Sequence, residues 1–219
     1  MLRFIQIFKI MKTNSFLVGL VMIFILSNHT NTQAQYSSWQ YNAKIHNIEF
    51  SKIRYGLNKN DTTVIIGYLK RPTLIQGFSC AADWVHFSKD WKPVLFKLQK
   101  KASIHNFVYP ENAWIRFKKD GIICAFPTET QIQGCNCMGS GGAKGIQTSF
   151  YPDGKLECFY SNSNILIGKI ACKGGVFNNI ILHQNGQLKE CTLSNDQIID
   201  GKNLKKGKRV RFDVNGKLQ

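Results

Sequence analysis

Apolar and polar residues alternate along much of the chain, and the alternation recurs with a nearly constant period. The same pattern occurs five times, at residues 84–90, 114–120, 147–153, 179–185 and 209–215. In each segment two mainly apolar positions flank a mostly polar one, and Asp or Asn closes the segment. The closing residues are 30, 33, 32 and 30 positions apart. A spacing of two places both flanking positions on one face of a β-strand.

Glycine follows the closing residue in four of the five segments, as in Asp153-Gly154 and Asn185-Gly186. Asp-Gly and Asn-Gly tolerate the positive φ that tight hairpin turns need. The pattern therefore predicts antiparallel hairpins, and we expect a β-meander or an elongated β-roll. A parallel β-solenoid also produces equivalent repeats and is the alternative, although it does not need hairpin turns.

A second set of positions recurs with the same period. Cys124, Cys158 and Cys191 each precede a glycine by ten residues, and no stretch keeps a helical period. Residues 94–101 are the most helix-like stretch, but they align with strand positions elsewhere. We therefore predict an all-β protein with about five units of 30–33 residues between residues 56 and 219. Residues 35–55 are expected to form an N-terminal cap.

The first 34 residues have the layout of a secretory signal peptide. Lys12 precedes an eleven-residue apolar run, Phe16–Leu26, and the polar segment after it ends at Ala34 in the manner of a signal-peptidase site. Eleven residues fall short of the roughly 20 that span a bilayer, and an uncleaved anchor is the alternative. We expect cleavage near Ala34, export to the periplasm, the outer surface or the medium, and no transmembrane helix in the remaining chain.

Seven cysteines in an exported protein raise the question of disulfides. Cys135 lies outside the repeating columns, so we expect any disulfide to involve Cys135, with a partner that the sequence does not identify. We interpret the others as small buried core residues, because apolar residues replace them in other units. Paired Cys-x-x-Cys motifs are absent, and we predict neither a metal site nor a cofactor. The six column residues are Cys80, Cys124, Cys137, Cys158, Cys172 and Cys191.

No catalytic constellation is visible in the sequence. His86 and His183 have no carboxylate or nucleophile at a spacing that would pair them. A secreted nuclease with one of them as general base is the sharpest enzymatic hypothesis. The Gly139–Gly145 stretch lacks the GxxxxGK[ST] spacing of a phosphate-binding loop. We therefore favour a non-enzymatic protein, and a secreted hydrolase with a site assembled from scattered residues is the alternative.

The chain is strongly basic, with a net charge of +16, and its 43% of apolar residues suits a packed core. Lysines concentrate in residues 89–119 and 201–219, which favours an anionic partner. Lysines that only keep strand edges soluble are the alternative interpretation. Export argues against nucleic acid and favours anionic lipid, lipopolysaccharide or acidic glycan. The predicted surface consists of Lys97, Lys100, Lys101, Lys118, Lys119, Lys205, Lys206, Lys208 and Arg209.

The hairpin segments Phe150–Leu156, Asn185–Glu190 and Asn215–Leu218 resemble those of bacterial MORN-type repeat proteins. The resemblance covers about residues 114–219, with a longer unit here. It implies an array of β-hairpins used in scaffolding or membrane-proximal binding rather than in catalysis. Together with the charge, it predicts an exported, non-enzymatic binding or structural module of the bacterial cell envelope that contacts anionic lipid or glycan.

Overall fold

The computed structural model describes residues 35–57, 64–105, 107–140, 142 and 145–219, and Tyr36–Gln219 form one compact unit. The predicted signal peptide, residues 1–34, lies outside the described residues. Within the described part every regular element is a β-strand, and no helix there is long and apolar enough to cross a membrane.

The strands are β1 (Gln35–Tyr36), β2 (Gln40–Ile45), β3 (Ile48–Leu57), β4 (Val64–Leu69), β5 (Thr73–Ile75), β6 (Phe78–Cys80), β7 (Trp84–Phe87), β8 (Pro93–Lys97), β9 (Ala102–Ile104), β10 (Phe107–Tyr109), β11 (Trp114–Lys118), β12 (Gly121–Ala125), β13 (Thr130–Ile132), β14 (Cys135–Cys137), β15 (Thr148–Phe150), β16 (Leu156–Phe159), β17 (Ile165–Ile167), β18 (Ile170–Cys172), β19 (Ile180–Leu182), β20 (Leu188–Thr192), β21 (Gln197–Ile199), β22 (Lys202–Leu204) and β23 (Arg209–Arg211).

Thirteen strands form one long antiparallel sheet, called here the main sheet. Its order is β1-β3-β4-β7-β8-β11-β12-β15-β16-β19-β20-β23, with β2 paired to β3. From β4 onwards, short two-stranded hairpins alternate with pairs of main-sheet strands; these hairpins are β5–β6, β9–β10, β13–β14, β17–β18 and β21–β22. The prediction of an all-β antiparallel meander is therefore confirmed. Residues 35–55, expected as a cap, supply β1, β2 and most of β3, which extends the main sheet beside β4.

The core lies between one face of the main sheet, the inner face, and the layer of short hairpins. Phe87, Phe150 and Phe212 of the main-sheet segments are buried in one cluster with Ile132 and Leu204 of the hairpins. The hairpins pack on neighbouring main-sheet strands, as where Phe78 of β6 lies 5.1 Å from Phe96 of β8 and Phe107 of β10 lies 5.8 Å from Phe150 of β15. Neither layer therefore buries its apolar face alone. The predicted apolar columns therefore do face a common core.

The turns between main-sheet strands differ in length, since Lys119 and Asp120 form a two-residue turn between β11 and β12 whereas residues 151–155 connect β15 to β16. In the loop Tyr151–Lys155, Gly154 takes a φ of 82°, while the Asp153 carboxylate accepts the Lys155 backbone N–H at 3.2 Å. The register shifts beside this turn, between Ser149 and Phe150. These features belong to a longer hairpin loop with a bulge, in which Gly154 is the residue that takes positive φ. The Asp-Gly pair therefore marks a hairpin here, as predicted.

Candidate functional site

The opposite face of the main sheet, called the outer face, carries a row of residues that stand directly opposite one another. The row begins with Arg54, Ile66, His86, Leu95 and Arg116, each paired in register with the next across β3, β4, β7, β8 and β11. It contains the polar positions His86 and Arg116, which the sequence pattern places between the apolar columns. Alternation along each strand puts the core residues on one side and this row on the other.

A cluster of cations and aromatic rings covers the β3 end of the outer face. We call Tyr36, Trp39, Lys52, Arg54, Tyr68 and Trp84 the cation–aromatic cluster. The Lys52 ammonium nitrogen lies 5.2 Å from the ring centre of Trp39 and 4.8 Å from that of Trp84. The Arg54 guanidinium carbon lies 4.1 Å from the Tyr36 ring centre and 4.4 Å from that of Trp39. Cation–π attraction of this kind holds a charge in place without neutralising it.

The rings of the cluster also contact one another and restrict their own movement. The Trp39 and Trp84 centroids are 5.8 Å apart, and Tyr68 meets Trp84 edge to face at 5.4 Å. Lys52 stands opposite Tyr68, which in turn stands opposite Trp84. The consequence is a preorganised surface in which two cations are fixed by neighbouring side chains rather than by acids.

The cations of this region have no acidic partner among the described residues. The nearby acids pair elsewhere, since Glu49 binds Arg71 at 3.0 Å and Asp83 lies 3.5 Å from Lys97. The Arg54 Nε is buried and has no hydrogen-bond partner in the described part of the chain. A buried donor without a partner is costly. Because this nitrogen is itself covered, an anion can reach Arg54 only through the exposed part of its half-buried side chain, which no described acid neutralises.

His86 lies between Arg54 and Arg116 along the outer row. Burial lowers the pKa of its imidazole below the usual value, and the positive charges of Arg116 and Arg54 lower it further. His86 is therefore neutral at pH 7, when Arg54 and Arg116 are charged. An anionic ligand would weaken the repulsion between these groups and favour the protonated ring.

The structure separates the lysines that the sequence predicted in residues 89–119. Lys97 lies on the outer face at the end of β8, while Lys100 and Lys101 lie in the connection from β8 to β9. Lys118, the last residue of β11, and Lys119, in the β11–β12 turn, lie at the opposite end of the strands, where the Lys118 ammonium is 3.9 Å from Asp120. These five residues therefore border the outer face at both ends and do not form a single patch.

The C-terminal group of predicted residues lies farther away. Lys205 binds Asp196 at 2.8 Å, Lys206 and Lys208 share its exposed loop between β22 and β23, and Arg209 binds Glu190. Strand β23 is seven positions from β8 in the main sheet, which corresponds to about 34 Å at the usual spacing between strands. The two lysine groups cannot contact the same small ligand, although a long polymer could reach both.

All seven cysteines are free thiols, and six of them, including Cys135, are buried. Cys158 is the exception. It is half-buried on the outer face, where it stands opposite Ser149 and Ile181. Its expected place in the core is therefore wrong, because Cys158 follows its turn glycine by four residues whereas the buried Cys191 follows its own by five. In a strand, a shift of one residue reverses the face.

Other features of catalytic interest have structural partners. The His183 Nε2 is 3.0 Å from the Phe212 carbonyl oxygen, and the His105 Nδ1 is 2.6 Å from the Pro152 carbonyl oxygen. Glu190 is held between Arg209 and Arg211; burial opposes its ionisation, but the two hydrogen bonds outweigh burial and lower the pKa of its carboxyl. In the described part of the chain, no group of three or more His, Cys, Asp or Glu could hold a metal ion.

Sequence reasoning missed the cation–aromatic cluster because its two cations lie in residues 35–55, which the repeat pattern does not cover. The available signal was the alternation Lys52-x-Arg54 beside the buried Ile53, which places both cations on one face of a strand. Trp39 and Trp84 come from separate strands, and their proximity depends on strand order. No protein-family model, curated protein sequence or solved structure matches the chain.

Proposed function

We propose that the protein is an exported, non-enzymatic β-repeat module of the bacterial cell envelope that binds acidic glycan on the outer face of its main sheet. The observation that carries this proposal is the pair Lys52 and Arg54, which lie over aromatic rings and lack an acidic partner among the described residues. The alternation of short hairpins with strand pairs supports units of about 30 residues, and the resemblance of the Asp-Gly and Asn-Gly hairpin segments to MORN-type repeats supports a scaffolding or binding role.

Two features of the cluster favour glycan over the other anions considered. Binding of single-stranded nucleic acid uses open aromatic faces on which bases stack, but cations already cover faces of Trp39 and Trp84. Lipid binding benefits from exposed aliphatic side chains that enter the bilayer interface, and Leu74, Leu166 and Ile198 lie instead on the short hairpins. The outer face therefore offers charges and ring edges, which suit carboxylates on a hydroxylated polymer.

The proposal is tested by binding of the mature chain to immobilised polygalacturonate, with neutral dextran and anionic lipid vesicles as comparison surfaces. We expect binding to polygalacturonate alone, weakening steeply with salt as the Debye length shrinks from about 10 Å at 0.1 M to about 3 Å at 1 M. A charge-assisted hydrogen bond is worth about 1.5–3 kcal/mol, so the K52Q/R54Q variant should bind at least about tenfold more weakly.

The matched control is the K205Q/K206Q/K208Q variant, which removes three charges from an exposed loop rather than two from the cluster. It should retain binding within about threefold, because that loop is far from the cluster and its charge acts only through a screened field. An equal loss of affinity in both variants would show that net charge alone, and not the cation–aromatic cluster, determines binding. Binding to vesicles but not to polygalacturonate would contradict the proposal, as would release of new reducing ends, which favours the hydrolase.

A further inference from the structure

The basic residues of the outer row are evenly spaced across the main sheet. Arg54, His86 and Arg116 lie on β3, β7 and β11, which are separated by β4 and β8. At the usual distance between strands, successive basic residues are about 9.6 Å apart and the row of three spans about 19 Å. The row crosses the strands at a right angle, so its spacing is fixed by the sheet hydrogen bonds and not by flexible loops.

The residues that separate these basic groups in the row are apolar and buried. Ile66 is 8% exposed and Leu95 is 7% exposed, whereas the three basic residues are only half-buried. Leu95 packs in a small cluster with Trp114 and Trp84 on the same face. Each basic residue of the row therefore has apolar neighbours on the adjoining strands, and no acid of the row lies between two basic residues.

We propose that the ligand is a linear polyuronate that lies across the strands along Arg54, His86 and Arg116; this inference rests on the proposed function. In an extended polyuronate, carboxylates on alternate sugars can point to the same side of the chain. Their separation is the length of a disaccharide, which is close to two strand spacings. One chain can thus present successive carboxylates to three basic groups, whereas a compact anion contacts only one of them.

The row also defines where the track ends. Beyond Arg116 it continues through Ile123, Ser149 and Cys158, which carry no charge at pH 7 when the thiol is protonated. At its far end Arg211 donates to Glu190 at 2.9 Å, so this arginine, unlike Arg54 and Arg116, has an acidic partner among the described residues. The polyuronate track is therefore confined to the five strands from β3 to β11.

The experiment is calorimetric titration of the mature chain with galacturonate oligomers of two, four and six sugars. We expect affinity to rise about tenfold or more from the dimer to the longest oligomer, because successive charge-assisted contacts are added within one ligand. Arg116→Gln should remove most of this increase, because it removes one of the three basic groups that successive carboxylates contact. Arg211→Gln is the matched control, an arginine of the same row outside the track, and should leave the whole length dependence intact.

The outcomes separate this inference from the proposed function. Equal affinity for all lengths, or equal effects of Arg116→Gln and Arg211→Gln, would overturn the linear track while leaving glycan binding in place. Equal affinity for a polyphosphate of similar length would overturn polyuronate as the ligand class. If the chain bound neither an oligomer of any length nor polygalacturonate, the proposed function itself would be contradicted. Thermal unfolding of each variant shows that the folded chain is being compared.

Discussion

Ser149 and Phe150 are consecutive residues that face opposite sides of the main sheet. Phe150 is fully buried against the hairpin layer, with its ring 5.8 Å from that of Phe107. Ser149 stands on the outer face, opposite Ile123. Comparing substitutions of these two neighbours therefore tests directly which face of the main sheet holds the core.

Phe150→Ala should lower the free energy of unfolding by about 3–5 kcal/mol, because it removes a buried ring and leaves a cavity. Ser149→Ala should change it by less than about 0.5 kcal/mol, since no core contact is lost. Urea denaturation of the two variants measures both values. A larger effect at Ser149 than at Phe150 would show that the register is displaced by one residue.

Trp91 occupies the turn position that Gly154 and Gly186 take in their own main-sheet loops. Its φ is 60°, and its ring lies 5.3 Å from Phe87 and 4.6 Å from His46. Trp91→Ala should lose the packing and keep the cost of positive φ, about 1–2 kcal/mol for a residue with a Cβ. Trp91→Gly should therefore be more stable than Trp91→Ala in thermal unfolding, although both are less stable than the original chain.

Gly186→Ala provides the control for this argument. Gly186 has a φ of 86°, and an added Cβ would meet nothing within 4 Å, so only the backbone cost applies. The expected loss is again about 1–2 kcal/mol. If Trp91→Gly were less stable than Trp91→Ala, the positive φ at Trp91 would not carry the expected cost.

His86 should make the stability depend on pH in a definite direction. Its pKa in the folded chain is lowered, so below the unfolded value of about 6.5 the unfolded chain binds more protons than the folded one. The stability that comes from the neutral imidazole is present above that pH and is lost as the pH falls toward the folded pKa. Chemical denaturation at pH 7.5 and pH 5 should therefore show a larger loss for the original chain than for His86→Asn. Equal losses would contradict the assignment.

Cys158 should be the thiol that reacts first in the folded protein. Burial raises the pKa of the Cys158 thiol. It raises the pKa of the Cys80 thiol further, to about 12. Brief treatment with iodoacetamide, followed by peptide mass spectrometry, should label Cys158 ahead of the six buried cysteines, because alkylation needs an accessible thiolate. Cys158→Ser should abolish the fast phase. Equal labelling of Cys80 would contradict the placement of Cys158 on the outer face.

The sequence predicted which residues face the core wherever the alternation within a single strand was sufficient to decide it. Phe87, Phe150 and Phe212 are spaced to face one side of a strand, and they share the core. Cys158 was misplaced because β16 and β20 carry the same bulge, so that the structural equivalent of Cys158 is Glu190 and not the buried Cys191 one residue later.

Leu166 aligns with the buried Ile132 and Ile199 but is 69% exposed. Gly168 is the first residue of its two-residue turn, whereas Gly134 and Gly201 are the second, so the strand before Gly168 is displaced by one residue. The apolar pattern does not encode the place of a glycine within its turn.

The cation–aromatic cluster could not be predicted because it depends on strand order. Lys52, Tyr68 and Trp84 become neighbours only when β3, β4 and β7 are placed side by side in the observed register. Three of the nine residues predicted as an anionic-ligand surface, Lys97, Lys118 and Arg209, belong to main-sheet strands and also face outward beside the row. The rest mark loops and turns, where charge keeps a repeat array soluble whether or not it binds a ligand.

The meander has a consequence for how the chain acquires its structure. Almost every strand pairs with one that is close to it in sequence, so the loops that must close during folding are short. All-β proteins commonly fold slowly because their partners are distant, and this topology avoids that cost. Pairs of strands at the N-terminal side can associate while the C-terminal strands are still being delivered, whether by a ribosome or by a translocation channel. The fold can therefore grow in the order in which its chain emerges.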